Sequence, residues 1–380
     1  MGPLRGLRVL EIAAIGPVPM AATLLADLGA DVVRVDRPVP SGLGVPLPRR
    51  CDVHGRSRRS VAVDLKRPAG VEALMALVTG ADVLLEGFRP GVAERLGIGP
   101  SDCRARNPRL VYGRMTGFGQ QGPLAQAAGH DLNYIALSGA LHAIGPAGGA
   151  PVPPLNLVGD YGGGALYLAF GVMAALFERG HSGRGQVVDA AMVDGVASLM
   201  GFFHGLRAAG GWRDERASNL LDGGAPFYAT YETADGKFVA LAALEPKFFA
   251  DLAHRIDLPA HFVQAQHDRA QWPQMREAIA ERIRRRTRDE WCARLEGSDA
   301  CFAPVLSLGE ASAHPHAVAR GAYVEVEGVD QPAPAPRFDR SAPASPRPAP
   351  EIGQHTDEVL REAGFDDEAL GRLRLAGAIR

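Results

Sequence analysis

Short apolar segments alternate with amphipathic ones along the first half of the chain. Residues 7–12 have the apolar character of a buried strand, residues 20–28 carry apolar positions at helical spacing, and residues 30–35 form a second apolar run. This order predicts a βαβ unit. Strands that alternate with helices favour an α/β fold with a mostly parallel sheet covered by helices on both faces. Further strands are predicted at residues 61–64, 82–86, 110–115 and 186–189, and a further helix at residues 70–79.

The pattern changes after residue 224. Two strand-like runs, residues 228–233 and 237–242, flank the turn Ala234-Asp235-Gly236 and predict a hairpin. A smaller α+β domain is therefore expected over residues 225–318. Its helices are predicted at residues 248–256, 272–285 and 284–296.

The carboxy-terminal part is expected to return to the first domain. Residues 331–350 are rich in proline, which predicts an extended segment that crosses a surface. Residues 356–363 predict a last helix, with Thr356 as its N-cap. The expected organisation is a large domain over residues 1–190 and 331–380, linkers over residues 191–224 and 319–330, and the small domain over residues 225–318.

Composition and charge exclude several classes of function. Apolar residues make up 46% of the chain, enough for sizeable cores, and the net charge of -2 gives no support to nucleic-acid binding. The four cysteines have no metal-site spacing, which indicates reduced thiols and no bound metal. The longest apolar run, residues 164–177, is predicted to be too short to span a bilayer and to form a buried helix. We therefore expect a soluble, cytoplasmic protein without a membrane or nucleic-acid partner.

The turn after the first predicted strand argues against a dinucleotide site. It reads Ile15-Gly16-Pro17-Val18-Pro19-Met20, without a glycine fingerprint, and its prolines lack the N–H groups that would hold a pyrophosphate. Basic residues nevertheless follow several strands, at the edge where open α/β sheets bind ligands. They suit a ligand with several phosphates, although solvated surface charge explains them equally well. These residues are Arg37, Lys66, Arg89 and Arg95, whereas Arg56, Arg58 and Arg59 precede the third strand.

Two short segments offer proton acceptors. In Gly129-His130-Asp131 the imidazole lies at a predicted helix start, where the helix dipole favours the neutral base, although most histidines have no catalytic role. Asp160 precedes three glycines and a predicted helix, so it is either the N-cap of that helix or a catalytic group. The glycines would let a ligand lie against the backbone, whose N–H groups could stabilise an oxyanion. Proton acceptors on two separate elements suit an enzyme that removes a proton from one face of a carbon and returns it to the other.

Glu245 is a weaker candidate. It precedes Pro246 at a predicted helix start, where a carboxylate is often only a cap. Its alternative role is to orient and charge-stabilise a histidine from the other domain.

Ordered segments over nearly the whole chain carry a resemblance to a known family. They are Gly6-Leu7-Arg8-Val9-Leu10-Glu11, Asp27-Leu28-Gly29-Ala30-Asp31-Val32-Val33, Asp64-Leu65-Lys66, Glu86-Gly87-Phe88-Arg89-Pro90-Gly91, Gly117-Phe118-Gly119-Gln120, Gly129-His130-Asp131, Gly159-Asp160, Gly183-Arg184-Gly185-Gln186-Val187-Val188-Asp189 and Gly353-Gln354-His355-Thr356-Asp357-Glu358-Val359-Leu360. On these segments the chain is identified as a member of the family III CoA-transferase group, and it most closely resembles the racemase branch of that group.

The resemblance implies an interlocked homodimer, in which each chain has a Rossmann-like large domain built from both termini and a smaller domain. It implies that His130 and Asp160 are the acid/base residues, and that Glu245 of the other chain's small domain supports His130. The CoA site implied by the resemblance is lined by Ile15, Arg37, Val63, Asp64, Leu65, Lys66, Gly87, Phe88, Arg89, Arg95, Gly129, Asp131, Leu132, Asn133 and Tyr134.

The implied activity is that of an isomerase in fatty-acid metabolism, which interconverts (R)- and (S)-2-methylacyl-CoA by proton transfer through an enolate. The thioester would lie near residues 162–164, and no cofactor is expected, since CoA is part of the substrate. Transferases of the group use an aspartate at about the position of Asp160 as a nucleophile, so Asp160 leaves both activities open. His130 and Glu245 favour the racemase. A protein that binds CoA esters without catalysis is the third alternative.

Overall fold

The computed structural model describes residues 2–39, 42 and 44–380. Pro40, Ser41 and Leu43, in the loop at residues 38–58 that stands before the third strand, lie outside the described residues. The strands are β1 (Arg8–Ile12), β2 (Asp31–Asp36), β3 (Arg59–Ala62), β4 (Val83–Glu86), β5 (Val111–Thr116), β6 (Val187–Ala191), β7 (Tyr228–Glu232), β8 (Phe238–Ala242), β9 (Phe302–Pro304), β10 (Tyr323–Val326) and β11 (Val329–Pro332).

The α-helices are α1 (Pro17–Asp27), α2 (Pro68–Thr79), α3 (Val92–Arg95), α4 (Pro100–Arg106), α5 (Asp131–Leu137), α6 (Ala140–Ala143), α7 (Tyr167–Ser182), α8 (Met192–Leu199), α9 (Gly201–Ala208), α10 (Pro246–Arg255), α11 (His261–Gln264), α12 (Trp272–Ile283), α13 (Arg288–Leu295), α14 (Leu308–Ala311), α15 (Pro315–Arg320), α16 (Thr356–Glu362) and α17 (Asp367–Leu375). Arg49–Cys51 and Val53–Gly55 are 3₁₀ turns, and Leu157–Leu166 is a π-helix.

A parallel sheet of six strands, in the order β3-β2-β1-β4-β5-β6, organises the first half of the chain. The predicted α/β fold with a parallel sheet is confirmed, and each predicted strand lies within two residues of an observed one. The strand order reverses between β1 and β4. In open parallel sheets, such a reversal opens a crevice at the carboxyl ends of the strands.

Each face of this sheet is covered by a hydrophobic core. Neighbouring residues of a strand point to opposite faces and therefore enter different cores. In β1, Leu10 packs into a core with α2, while Val9 packs into another core with α1 and α7. Val32 and Val33 of β2 divide in the same way. Strands covered on both faces need apolar residues at nearly every position, which explains why they were visible as continuous runs.

The carboxy-terminal helices lie on the core that contains β3. Leu360 of α16 and Leu370 of α17 belong to this core, and the Thr356 hydroxyl accepts a hydrogen bond from the Ala62 N–H at 3.1 Å. The prediction that Thr356 is an N-cap is wrong. His355 holds the cap position, and Thr356 is the first residue of the helix.

The chain divides into two compact units. The first comprises residues 1–138, 155–199 and 315–380, and the second comprises residues 139–154 and 200–314. In the second unit, β7, β8 and β9 form an antiparallel sheet, which confirms the predicted hairpin. Its core contains Phe227, Phe249 and Trp272.

The apolar run at residues 164–177 belongs to a longer helical segment than predicted. The π-helix continues directly into α7, and together they span Leu157–Ser182, 26 residues, of which the most apolar window is 33% buried. The expectation of a buried helix too short for a bilayer is therefore wrong. By length and composition alone, this one segment of the described chain could cross a membrane.

Candidate active site

A cleft of about 1160 Å³ lies in the first unit, at the carboxyl ends of the parallel strands. Its walls come from the segments that follow β1, β4 and β5 and from residues 350–352 of the carboxy-terminal crossing segment. The segment after β1 differs from the prediction, since α1 begins at Pro17 and not at Met20. Proline suits this first helical position because the N–H that it lacks would have no partner within the helix.

His130 lines the cleft from the start of α5. It is the N-cap residue of that helix, with an extended backbone, and its N–H donates a hydrogen bond to Oδ1 of Asn133 at 3.0 Å. Tyr134, on the next turn, packs edge-on against Phe118 and donates its hydroxyl to the Gly129 carbonyl oxygen. The loop before His130 is thus held from both sides, and the imidazole is presented to solvent in the cleft.

Asp160 lines the same cleft from the π-helix. Its Oδ2 accepts a hydrogen bond from Nδ2 of Asn156 at 3.1 Å. Burial raises the pKa of Asp160 above its usual range; the Asn156 hydrogen bond opposes this shift, the Asp131 charge adds to it and His130 opposes it. Gly16, with φ of +71°, leaves the necessary space, because a Cβ there would stand 3.2 Å from Oδ2 of Asp160.

The predicted N-cap role of Asp160 is wrong. Asn156 holds the N-cap position of the π-helix, and Asp160 lies inside its first turn. The carboxylate that satisfies the first backbone N–H groups is that of Asp131, whose Oδ1 accepts from both Gly159 and Asp160 at 2.7 Å. Asp160 is therefore free of the capping role that competed with a chemical one.

The glycines after Asp160 serve packing, contrary to the prediction that they let a ligand approach the backbone. A Cβ on Gly163 would stand 2.7 Å from the backbone nitrogen of Val196 in α8, and one on Gly164 would stand 3.1 Å from Cβ of Pro17. Gly163 and Gly164 are buried. The N–H groups of Gly159 and Asp160, which precede these glycines, are both accepted by Asp131. That N–H groups at residues 162–164 stabilise an oxyanion stays a prediction.

The structure brings part of the predicted CoA site together at the cleft. Ile15, Gly87, Phe88, Arg89, Gly129, Asn133 and Tyr134 line it. The other predicted residues, which are not among the cleft residues, are Arg37, Val63, Asp64, Leu65, Lys66, Arg95, Asp131 and Leu132. Of these, Val63 has a fully buried side chain within the core, and Arg37 and Lys66 are exposed beyond the ends of β2 and β3.

Sequence reasoning missed two cleft cations, Arg34 and Arg49. Arg34 lies within β2 and pairs with Asp36 at 2.9 Å, and Arg49 pairs with Glu327 at 2.7 Å. Their charges are thus matched by carboxylates. Arg89 forms no ion pair with any residue in the described ranges, so its charge is available to a ligand.

The arginines before the third strand hold the fold together. Arg58 pairs with Glu11 at 2.8 Å and Arg56 with Asp27 at 2.5 Å, all four side chains being almost fully buried. Buried arginines satisfied in this way do not serve a ligand.

A family model described as CoA-transferase family III matches residues 4–356. The chain belongs to CoA-transferase family III. It is 45% identical over 372 residues to the α-methylacyl-CoA racemase of Mus musculus and 44% identical over 375 residues to that of Homo sapiens, with 97% of this chain and 96% of the relative covered in both cases. It is also similar to the crystal structure of a CAIB/BAIF family protein from Brucella suis, with a TM-score of 0.83 and 25% identity over 95% of this chain and 99% of that chain.

The third candidate of this family III chain, Glu245, belongs to the second unit. It is the exposed N-cap residue of α10, directly before Pro246 at the first helical position. A carboxylate at an exposed helix start is free to accept a hydrogen bond from another group. Its partnership with His130 stays a prediction.

Proposed function

We propose that this family III chain is an isomerase that interconverts (R)- and (S)-2-methylacyl-CoA thioesters. One observation carries the proposal: an imidazole, His130, and a carboxyl group with a raised pKa, Asp160, line one cleft from two separate elements. Groups on separate elements can approach a carbon from opposite faces, as inversion at that carbon requires. The similarity to the two α-methylacyl-CoA racemases supports the substrate class.

The proposed reaction is a proton transfer at C2 of the acyl group. One of His130 and Asp160 takes the C2 proton, and the C–H electron pair moves into the thioester to give an enolate. The other group, protonated at that stage, gives its proton to the opposite face of C2, and the enolate electrons form the new C–H bond. No electrons leave the substrate, so we propose that the reaction uses no cofactor beyond the CoA that the substrate carries.

The surroundings of Asp160 suit both of its roles. Because burial raises its pKa, its protonated form persists to higher pH than that of a solvated aspartate. A group that can hold or release a proton near working pH serves as acid in one direction and as base in the other. Asn156 fixes one carboxylate oxygen and leaves the other for the substrate.

We place the CoA part along the carboxyl edge of the sheet. Arg89 in the cleft, together with Arg37 and Lys66, which are exposed after β2 and β3, suits phosphate groups. Of the other predicted CoA residues, Val63 has a buried side chain and offers a ligand only its backbone, and the Asp131 carboxylate already accepts the N–H groups of Gly159 and Asp160.

We also propose the domain and subunit arrangement expected from the sequence: a large domain over residues 1–190 and 331–380, a small one over residues 225–318, and an interlocked homodimer. A wide apolar face on the long helical segment supports a second copy as its cover, since Phe170 is 75% and Phe177 is 74% exposed. Glu245 of the partner subunit would then support His130.

The test is incubation of a pure (R)- or (S)-2-methylacyl-CoA with the protein in heavy water. We expect racemisation with one deuterium at C2 from either enantiomer. His130→Ala and Asp160→Asn should each abolish racemisation, yet each should still exchange the C2 proton of one enantiomer, and the two variants should prefer opposite enantiomers.

Two results would contradict the proposal. The first is no deuterium uptake and no epimerisation across several acyl chain lengths. The second is CoA exchange between an acyl-CoA and a free carboxylic acid, with an acyl adduct at Asp160, which would make the chain a CoA-transferase. Binding of the thioester without either reaction would indicate a binding protein.

A further inference from the structure

One carboxylate links the two elements that carry the candidate bases. Asp131 follows His130 directly and opens α5, and its Oδ1 accepts the N–H groups of Gly159 and Asp160, both at 2.7 Å. Asp131 is buried, so water does not compete for these bonds. Hydrogen bonds to a charged acceptor are stronger than those to a neutral one.

The chain leaves room for this contact at a single position. A Cβ on Gly159 would stand only 2.5 Å from Oδ1 of Asp131 and 3.2 Å from Cγ2 of Ile135. Only glycine therefore allows the π-helix to approach α5 this closely. The approach brings the backbone nitrogen of Asp160 itself onto the carboxylate, so a shift of Asp131 displaces Asp160.

The same residue fixes His130 through the backbone. His130 is the N-cap residue next to Asp131, and Asn133 accepts its N–H. A movement of Asp131 would thus change the separation between the imidazole and the Asp160 carboxyl group. Rates of enzymatic proton transfer depend steeply on such distances, and a misplacement of about 1 Å can cost on the order of 100-fold.

We propose that Asp131 is a positioning residue, whose buried carboxylate sets the geometry of His130 and Asp160 relative to each other and does not bind CoA. This inference rests on the proposed function for its catalytic meaning. The ionisable groups that face Asp160 are His130, Asp131 and Tyr134. Asp131 therefore acts on Asp160 by its charge as well as by its two hydrogen bonds.

The experiment compares Asp131→Ala with Asp131→Asn in the full-length protein. Asparagine keeps an oxygen that can accept both N–H groups and loses only the charge, whereas alanine leaves both N–H groups without an acceptor. We expect kcat for racemisation to fall on the order of 100-fold in Asp131→Ala, with KM changed less than about threefold, and to recover to within about 10-fold of wild type in Asp131→Asn.

The pH profile separates positioning from general damage. The relevant substrate is the enantiomer still exchanged by His130→Ala, since Asp160 takes its proton. Removal of the Asp131 charge lowers the pKa of Asp160, so the acidic limb of kcat for this enantiomer should move to lower pH in Asp131→Asn. The control is Asp82→Ala, which removes a carboxylate that accepts the Arg8 N–H at 2.9 Å on the opposite edge of the sheet. Asp82→Ala should leave both kcat and the acidic limb of its pH profile unchanged.

Amide hydrogen exchange gives a readout that needs no turnover. The N–H groups of Gly159 and Asp160 should exchange faster in Asp131→Ala than in wild type, and Asp131→Asn should restore protection. Unchanged exchange in Asp131→Ala, or a rise in KM without a loss of kcat, would overturn the positioning role. A wild type that exchanges no C2 proton would contradict the proposed function alone, because the amide contact is measured independently of it.

Discussion

At the residue scale, the two candidate bases differ in their surroundings. His130 is exposed in the cleft, while Asp160 is half-buried and its pKa is raised by that burial. A half-buried carboxyl group is costly to ionise, and proteins retain such costs mainly where chemistry needs them. The ionised form of Asp160 is therefore expected to lower the stability of the native state.

This cost predicts how stability depends on pH. The native state holds the Asp160 proton more tightly than the unfolded chain does, so Asp160 lowers the free energy of unfolding as pH rises from the ordinary aspartate range through the raised pKa. We expect Asp160→Asn to be more stable than wild type at about pH 7, and the difference to shrink toward about pH 4. Urea unfolding of both proteins across this range measures it.

Glu362→Gln in the same unit is the matched control with the opposite sign. Its hydrogen bond from Arg59 lowers the pKa of Glu362, so this carboxylate stabilises the native state above the ordinary glutamate range. The variant should be less stable than wild type at about pH 7 and approach it as pH falls. If both variants changed stability in the same direction with pH, the assigned environment of Asp160 would be wrong.

Single candidate residues could be recognised in the sequence, but the residues that they contact could not be predicted. The segment Gly129-His130-Asp131 and the position of Asp160 could be recognised one residue at a time. The acceptor of the Asp160 N–H could not be recognised in this way. Asp131 lies 29 positions earlier, and it contacts Asp160 only when α5 packs against the π-helix. For the same reason Asp160 looked like a cap. Arg34 was missed because it lies inside β2, and strand interiors give no sign of which alternate residue faces a cleft edge.

At the scale of elements, close contact between the π-helix and α8 sets the position of Asp160. A Cβ on Gly195 of α8 would stand 1.9 Å from the Gly163 carbonyl oxygen. The two backbones therefore touch, and glycines on both sides are required. The predicted strands were confirmed because burial on both faces leaves a continuous apolar signal, whereas glycines that permit backbone contact resemble glycines that admit a ligand.

The contact predicts the effect of one added methyl group. Gly195→Ala must push α8 away from the π-helix, and such overpacking costs about 1–3 kcal/mol of stability. Because the π-helix carries Asp160, kcat should also fall by more than about 10-fold. The measurements are urea unfolding and C2 deuterium exchange on the same preparation.

Gly180→Ala provides the comparison within the same long helical segment. A Cβ at Gly180 in α7 meets nothing within 4 Å. The added methyl group should therefore leave kcat unchanged and alter stability by less than about 1 kcal/mol, in the stabilising direction. Equal effects of the two substitutions would show that the helix contact does not control the site.

At the scale of the whole molecule, the main unexplained surface is the apolar face of the segment Leu157–Ser182. Leu166, Phe170 and Phe177 are each more than half exposed. An apolar face of this size is typical of an interaction surface, and the same helical segment carries Asp160. Hydropathy alone predicted that residues 164–177 form a buried helix. The sequence shows how apolar a segment is, but it does not show which surface covers it.

Subunit complementation is the prediction at this scale. If Glu245 of the partner subunit supports His130, a heterodimer of one His130→Ala chain and one Glu245→Ala chain contains one site with both residues intact. Each variant alone should be inactive in racemisation, and the co-expressed heterodimer, isolated through two different tags, should recover the activity of one of its two sites.

The apolar face is tested with the same pair of chains. Phe177→Asp placed in both chains should abolish the recovery, since a charge on the apolar face opposes its burial. Light scattering should then give the mass of one 40.2 kDa chain. Leu375→Asp, at an exposed position of α17, should leave mass and recovery unchanged. A heterodimer without activity would place Glu245 in its own chain's site, and full activity of Glu245→Ala alone would place it outside the reaction. A stable dimer of the Phe177→Asp chains would exclude this face as the interface.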